Sequence, residues 1–286
     1  MNHISQLVDL IRLDQVEDNI FKGNSLPIGS PNVFGGQVLA QAIYAMSKTV
    51  PLDRVCNSYH CYFILPGNLN KPIIYEVENI RDGGSFSVRR IKAKQNDKVI
   101  FFMGASFQGQ EDGYDHQIKM PKVPDHENLY SWDQMYEQLK GFLPKAIEQF
   151  FSIERPIIFK PTVINNPTER KKLDPVQDIW FKIKGEMTND PTLNRSIISY
   201  ISDYNILTTA LHPHADEAHF GNTQMATLDH SMWFFRDFDI NDWMLFSIES
   251  PSASGARGFT RGNIFTESGE LIASVTQEGL MRPKNK

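Results

Sequence analysis

The second half of this 286-residue chain echoes the first at an offset of about 170 residues. His60-Cys61-Tyr62-Phe63 parallels His230-Ser231-Met232-Trp233. Tyr75-Glu76-Val77-Glu78 parallels Phe246-Ser247-Ile248-Glu249, and Gly84 and Arg90 fall against Gly255 and Arg261. An offset that long and that constant belongs to a duplicated fold, not to a short solenoid repeat. Identity between the halves is low, so two unrelated antiparallel sheets remain the plainer alternative.

Each half reads as one helix followed by a meander. In the first half, Ile4, Leu7, Val8 and Ile11 have helical spacing, and a turn-rich stretch with Gly23, Pro27, Gly29 and Pro31 follows. Phe34-Gly35-Gly36-Gln37 then opens a second helix, predicted over 35–48, whose Val38, Leu39, Ala42, Ile43 and Met46 make one broad apolar face. β-rich runs come next at Tyr59–Leu65, Ile73–Val77, Phe86–Ala93 and Val99–Phe107, divided by Pro66-Gly67, Asp82-Gly83-Gly84 and Asn96-Asp97.

Residues 109–131 are polar and carry Pro121 and Pro124, and they are expected to be more mobile than either half. Ser131 with Gln134 resembles a capping box. Strands are predicted at Pro156–Lys160 and Ile179–Ile183, and Asp190-Pro191 reads as a cap and first-turn proline opening a helix over 191–211. A second strand series follows at Met225–Phe235, Trp243–Glu249, Gly258–Phe265 and Leu271–Leu280. The class is α+β.

Composition narrows the function. Hydrophobic residues make up 41% and charged residues 22%, which is globular, and the net charge of -5 gives no reason to expect a nucleic-acid partner. Two cysteines, Cys56 and Cys61, imply no disulfide framework and fit a reducing cytoplasm. No run approaches the roughly 18 apolar residues of a membrane span, and neither a secretory leader nor a terminal Ser-Lys-Leu address is read.

The motifs Phe34-Gly35-Gly36-Gln37-Val38, Tyr62-Phe63-Ile64-Leu65-Pro66-Gly67, Ser202-Asp203, Leu228-Asp229-His230-Ser231-Met232-Trp233, Ser254-Gly255-Ala256-Arg257-Gly258 and Val275-Thr276-Gln277-Glu278-Gly279 resemble those of the acyl-CoA thioesterase II family. The likeness runs in order along nearly the whole chain. It implies a double hotdog, two antiparallel sheets each wrapped around a central helix, divided as 1–115, a linker with a short helix at 116–145, and 146–286. It also implies an acyl-CoA substrate, water-mediated hydrolysis and no cofactor, with the family's catalytic set falling on Asp203, Thr227 and Gln277. Some relatives carry His where this chain has Asn57, so a catalytic His at that position is not available.

The residues support this chemistry to differing degrees. A thioester has a good leaving group and needs an oriented water, a base and a place for the oxyanion. Asp203 is predicted inside the second central helix, at the margin of the stripe of Tyr200, Tyr204 and Leu207, where a carboxylate must find partners or shift its pKa. Gln277 lies in the row Leu271, Ala273, Val275, Gln277, and an amide on an apolar face has a defined partner as a rule. Thr227 can both donate and accept, although strand duty alone accounts for a threonine there.

Gly35-Gly36 offers helix-terminal N–H groups to a thioester or oxyanion, with close packing as the equal alternative. Arg257 is the candidate for the CoA phosphates, alongside Arg89, Arg90, Lys92, Lys94 and Arg261, each of which surface charge also explains. Asp229, His230 and His60 read as supporting residues. No Gly-x-Ser-x-Gly elbow is present, and no metal site is expected from His212-Pro213-His214. A hotdog hydratase or dehydratase and a non-catalytic acyl-CoA binding module remain alternatives, and a homodimer or homotetramer is expected from the exposed backs of the sheets.

Overall fold

Phe34 starts the first central helix without a side-chain cap, because its ring has no acceptor to offer, and the Gly36 N–H is taken by a carboxylate from elsewhere in the chain instead. The computed structural model describes all residues except 143–147, 149–150, 164–170, 220 and 285–286. Helix α1 (Ile4–Ile11) precedes strands β1 (Asp14–Glu17) and β2 (Ile20–Gly23), which the turn-rich reading of this region did not anticipate. Then come α2 (Gly35–Ser47), β3 (Arg54–Phe63), β4 (Ile73–Asp82), β5 (Phe86–Gln95) and β6 (Lys98–Gly109). The second half holds α3 (Trp132–Leu139), β7 (Ile157–Pro161), β8 (Val176–Ile183), α4 (Pro191–Ser202), a 3-10 helix (Leu207–His214), β9 (Thr223–Thr227), β10 (Asp229–Phe234), β11 (Met244–Ser254), β12 (Arg257–Thr266) and β13 (Leu271–Pro283). Ser131 and Gln134 form the expected capping box of α3, and Asp190 caps α4 ahead of Pro191.

The two sheets join edge to edge. Their order is β1-β2-β4-β5-β6-β3-β10-β13-β12-β11-β8-β7, with β9 beside β13. The sequence is therefore mirrored about the β3–β10 seam, where Tyr62 to Ser58 pair with Asp229 to Trp233. The ladder Val77–Ile91–Met103–Cys61 in one half has its counterpart in Ile248–Gly262–Val275–Met232. This register corrects the alignment of His60 with His230. Tyr59 is the counterpart of His230, and a one-residue slip moves a side chain to the other face of a sheet. His60 accordingly points outward and is exposed, whereas His230 is fully buried.

The sheet curls around α2 and α4, which pack side by side. Gly36 to Ile43 are buried without a break, as are Leu193 to Ser202. Polar side chains on a helix buried all round need partners within the protein, and two serines of α4 bond to the helix's own backbone: Ser196 Oγ donates to Thr192 O at 2.9 Å and Ser199 Oγ to Arg195 O at 2.8 Å. The predicted helix over 191–211 is shorter than expected. Asn205, at φ 63°, turns the chain out of it, and the apolar positions Leu207 and Leu211 continue on the 3-10 helix.

The linker also differs from expectation in part. Met120, Val123 and Leu129 pack on Trp180, Leu245, Phe265 and Leu271 on the outer side of the second sheet. Trp180 Nε1 donates to Pro124 O at 3.0 Å, and His126 stacks on Trp243 at 4.4 Å. Residues 110–119 ahead of this strap are exposed. Limited proteolysis is expected to cut first within 110–119 and to spare 120–129; early cuts inside α4 would contradict the packing.

Candidate active site

Asp203 is the C-cap of α4, one residue beyond the helix, and not an interior helical residue as predicted. That position matters. A carboxylate at a helix C-terminus faces the negative end of the dipole, but here it also meets the positive N-terminus of α2. Gly36 N donates to Asp203 Oδ2 at 2.8 Å. The approach is so close that a Cβ on Gly35 would lie 2.6 Å from Asp203 Oδ2, and one on Gly36 would lie 2.5 Å from the Tyr200 carbonyl oxygen. Both glycines are required by contact between the central helices, and the N–H of Gly36 faces the site for the same reason.

Thr227 ends β9, where the chain steps across to β10 through Leu228. Its hydroxyl donates to Asp203 Oδ1 at 3.3 Å. Gln277 projects inward from β13, is 1% exposed, and donates through Nε2 to Thr227 Oγ1 at 2.9 Å. Burial pushes the Asp203 carboxyl up to about 7, against the opposing pull of the Gly36 N–H, the Thr227 hydroxyl and the Gln277 amide. Asp203 as a whole is nevertheless half-buried, not fully enclosed. A carboxyl group poised near neutrality beside a hydroxyl and an amide can take a proton from a bound water.

With that geometry in place, comparison with known proteins is informative. A family model described as acyl-CoA thioesterase matches residues 146–280, and one described as the acyl-CoA thioesterase N-terminal domain matches residues 24–108. The chain is 41% identical to acyl-CoA thioesterase 2 of Haemophilus influenzae, over 98% of both chains.

The chain belongs to the acyl-CoA thioesterase family.

It is also 36% identical to acyl-coenzyme A thioesterase 8 of Homo sapiens, over 96% of this chain and 88% of that one. A crystal structure of an acyl-CoA thioesterase II from Mycobacterium marinum is 34% identical and superimposes with a TM-score of 0.80, covering 98% of this chain and 99% of that one. The dehydratase domain of RzxB from Pseudomonas fluorescens, at 11% identity and a TM-score of 0.53, shares the fold alone. The hotdog architecture expected from the resemblance is that of these neighbours.

In this thioesterase the fold brings Gly35, Gly36, Asp203, Thr227 and Gln277 to one place. It does not bring Arg257 there. Arg257 begins β12 on the outer side of the sheet, where its Nε donates to Glu278 Oε1 at 2.9 Å. Arg89 is excluded as a surface phosphate ligand: it is 1% exposed and donates to both Asp82 oxygens, at 2.8 and 3.0 Å, and to Thr49 O at 2.7 Å. Arg90 pairs with Glu78, Lys94 with Glu76 and Arg261 with Glu249, while Lys92 is exposed.

His230, read earlier as a supporting residue, and Ser202, for which no role was read, join the set. Ser202 and His230 are fully buried and continue the hydrogen-bond chain beyond Gln277. The signal for His230 was the row His230, Met232, Phe234, an imidazole in an otherwise apolar inward face of β10.

Proposed function

We propose that this enzyme hydrolyses fatty acyl-CoA to a free fatty acid and CoA with a water activated by Asp203. The observation that carries the reading is the linked set of Asp203, Thr227 and Gln277 at the N-terminus of α2, with a carboxyl group held near neutrality. Asp203 accepts a proton from water as the water oxygen attacks the thioester carbonyl carbon. The tetrahedral oxyanion collapses with cleavage of the carbon–sulfur bond, and the proton on Asp203 goes to the departing thiolate. The first N–H groups of a helix lack partners within it. That of Gly36 is held by Asp203, so that of Gly35 is the candidate donor to the carbonyl oxygen. Arg257 is the candidate for the CoA phosphates, reaching them by leaving Glu278.

A hydratase would move protons with a histidine and a carboxylate. His230 is engaged at both nitrogens, with Ser202 and with Gln277, and offers neither to a substrate. The reading extends to a homodimer or homotetramer acting in the cytoplasm. Exposed Tyr62 and Phe102, with ring centroids 5.5 Å apart on the back of the sheet, provide apolar surface for association, and sedimentation velocity tests it.

The principal test is release of free thiol across a series of acyl-CoA chain lengths. A base must be ionised to act, so kcat/KM is expected to rise with pH through about 7 and level off above it. A rate flat from about pH 5 to 8 would remove Asp203 from the role of base. Ligand binding without thiol release at any chain length would favour the binding module.

A further inference from the structure

The hydrogen-bond chain that starts at Asp203 runs through four contacts to Ser202. Thr227 Oγ1 lies 3.3 Å from Asp203 Oδ1, Gln277 Nε2 2.9 Å from Thr227 Oγ1, His230 Nδ1 2.8 Å from Gln277 Oε1, and His230 Nε2 3.0 Å from Ser202 Oγ. Each link has one hydrogen, so its direction follows from the group at the end. An ionised carboxylate can only accept. Thr227 must therefore donate to Asp203, and its oxygen must accept from Gln277. That turns the amide nitrogen of Gln277 toward Thr227 and leaves its carbonyl oxygen facing His230. An oxygen there needs a donor, so His230 must carry its proton on Nδ1. Nε2 is then a bare acceptor, and of the two acceptors within 3.0 Å of the Ser202 hydroxyl, Ser199 O and His230 Nε2, the second must receive its hydrogen.

We propose that His230 is a positioning residue for the hydrolysis: as the Nδ1–H tautomer it holds the Gln277 amide so that Gln277 meets the reacting groups only as a donor. The inference rests on the reading that Asp203, Thr227 and Gln277 carry the reaction. It assigns the water's proton to Asp203 alone. The Gln277 carbonyl is occupied by His230, and the second amide hydrogen of Gln277 is what remains for the carboxylate, the water oxygen or the thioester oxygen. If the amide turned over, a carbonyl oxygen would face the carboxylate and oppose its ionisation.

Several features hold the imidazole in this role. The ring is fully buried and lies parallel to Tyr59, with centroids 6.0 Å apart and an interplanar angle of 13°. Burial lowers its pKa to about 4, so it stays neutral and a single tautomer has to satisfy both neighbours. The surrounding Tyr59 and Cys61 of β3, Tyr200 of α4 and Tyr204 just beyond it are pushed up by burial and remain protonated. On the other half, the counterpart of His230 is Tyr59 and the C-cap counterpart of Asp203 is Lys48, so no equivalent chain exists there.

The test begins with the unaltered enzyme. Long-range nitrogen–proton correlation spectra at about pH 8.5, with Asp203 ionised, identify the protonated nitrogen of a neutral histidine. The His230 signals are assigned by their loss in His230→Gln. Protonation on Nδ1 is the expected result, and protonation on Nε2 in an enzyme that needs Asp203 overturns the proposal alone. Variants supply a second readout. An asparagine amide can reach the place of Nδ1, whereas a glutamine amide reaches that of Nε2. His230→Gln is expected to lower kcat by about 10- to 100-fold with little change in KM, the scale of one hydrogen bond to a charged network, and His230→Asn to regain at least about tenfold of that loss. Equal kcat per folded molecule in the two variants would mean that the ring serves packing only and would overturn the proposal. Full activity in Asp203→Asn would overturn the hydrolysis reading, and the proposal with it.

Discussion

Asp203→Asn is expected to lower kcat by about 10²–10⁴, the span of a positioned general base, while acyl-CoA binding and the fold persist. The amide is nearly the same size as the carboxylate. Its oxygen can still accept from Gly36 N–H, and Thr227 can accept from its nitrogen, so the contacts of the cap survive in altered polarity. It cannot take the proton of a water. Thr227→Ala and Gln277→Ala are each expected to lower kcat as well, with losses that do not add to that of Asp203→Asn, because groups acting on one water behave as a unit.

Stability changes in the opposite direction to activity. The folded Asp203 carboxyl titrates near 7, above its ordinary range, so the native state holds the proton more tightly than the unfolded chain does. The ionised side chain therefore opposes folding, a cost absent below the unfolded value of about 4 and complete above about 7. Asp203→Asn is expected to melt above the wild type at alkaline pH, with the gap closing as pH falls. The measurement is kcat and melting temperature together at several pH values. A near-wild-type kcat in a stably folded variant would sink the mechanism. A lowered melting temperature with kcat preserved would make Asp203 a structural cap.

Residues 1–115 expressed alone are expected to give a poorly soluble fragment with no thiol-release activity. The cut leaves the β3 edge from Ser58 to Tyr62 without the β10 partner that covers it, and an unpaired flat edge recruits other chains. It also exposes the face of α2 that packs on α4, where Gly36 approaches the Tyr200 carbonyl. Two copies of the fragment could pair across β3 in the manner of the whole chain. Activity would still be absent, because α2 ends at Lys48 where α4 ends at Asp203, and Thr227 and Gln277 lie on the missing strands. Sedimentation velocity and a thiol-release assay check the two parts of the expectation. A well-folded, active monomer would refute a site shared between the halves.

What the sequence determined by itself was local or carried by motif. The glycine pair at the start of α2, the Asp190-Pro191 start of α4 and the Ser131–Gln134 capping box are set by neighbouring residues, and they form as read. Alternation and turn residues placed the long strands, apart from their ends and the break at Leu228 that separates β9 from β10. Asp203, Thr227 and Gln277 came from the family resemblance, since no spacing along the chain shows that three residues on a helix end and two strands will meet.

Only the tertiary structure decided the rest. Whether His230 faces in or out depends on the register between β3 and β10, and a slip of one residue reverses it. The apolar stripe through Tyr204 and Leu207 implied a longer helix, but the left-handed turn at Asn205 ends α4 at the point where Asp203 reaches the N-terminus of α2. The linker looked free because it is polar and proline-rich, yet Met120, Val123 and Leu129 find an apolar surface built from strands more than fifty residues away. The polarity of the chain from Asp203 to Ser202 is likewise a property of packing. At Gln277, His230 and Ser202 burial removes the water that would otherwise supply each donor and acceptor.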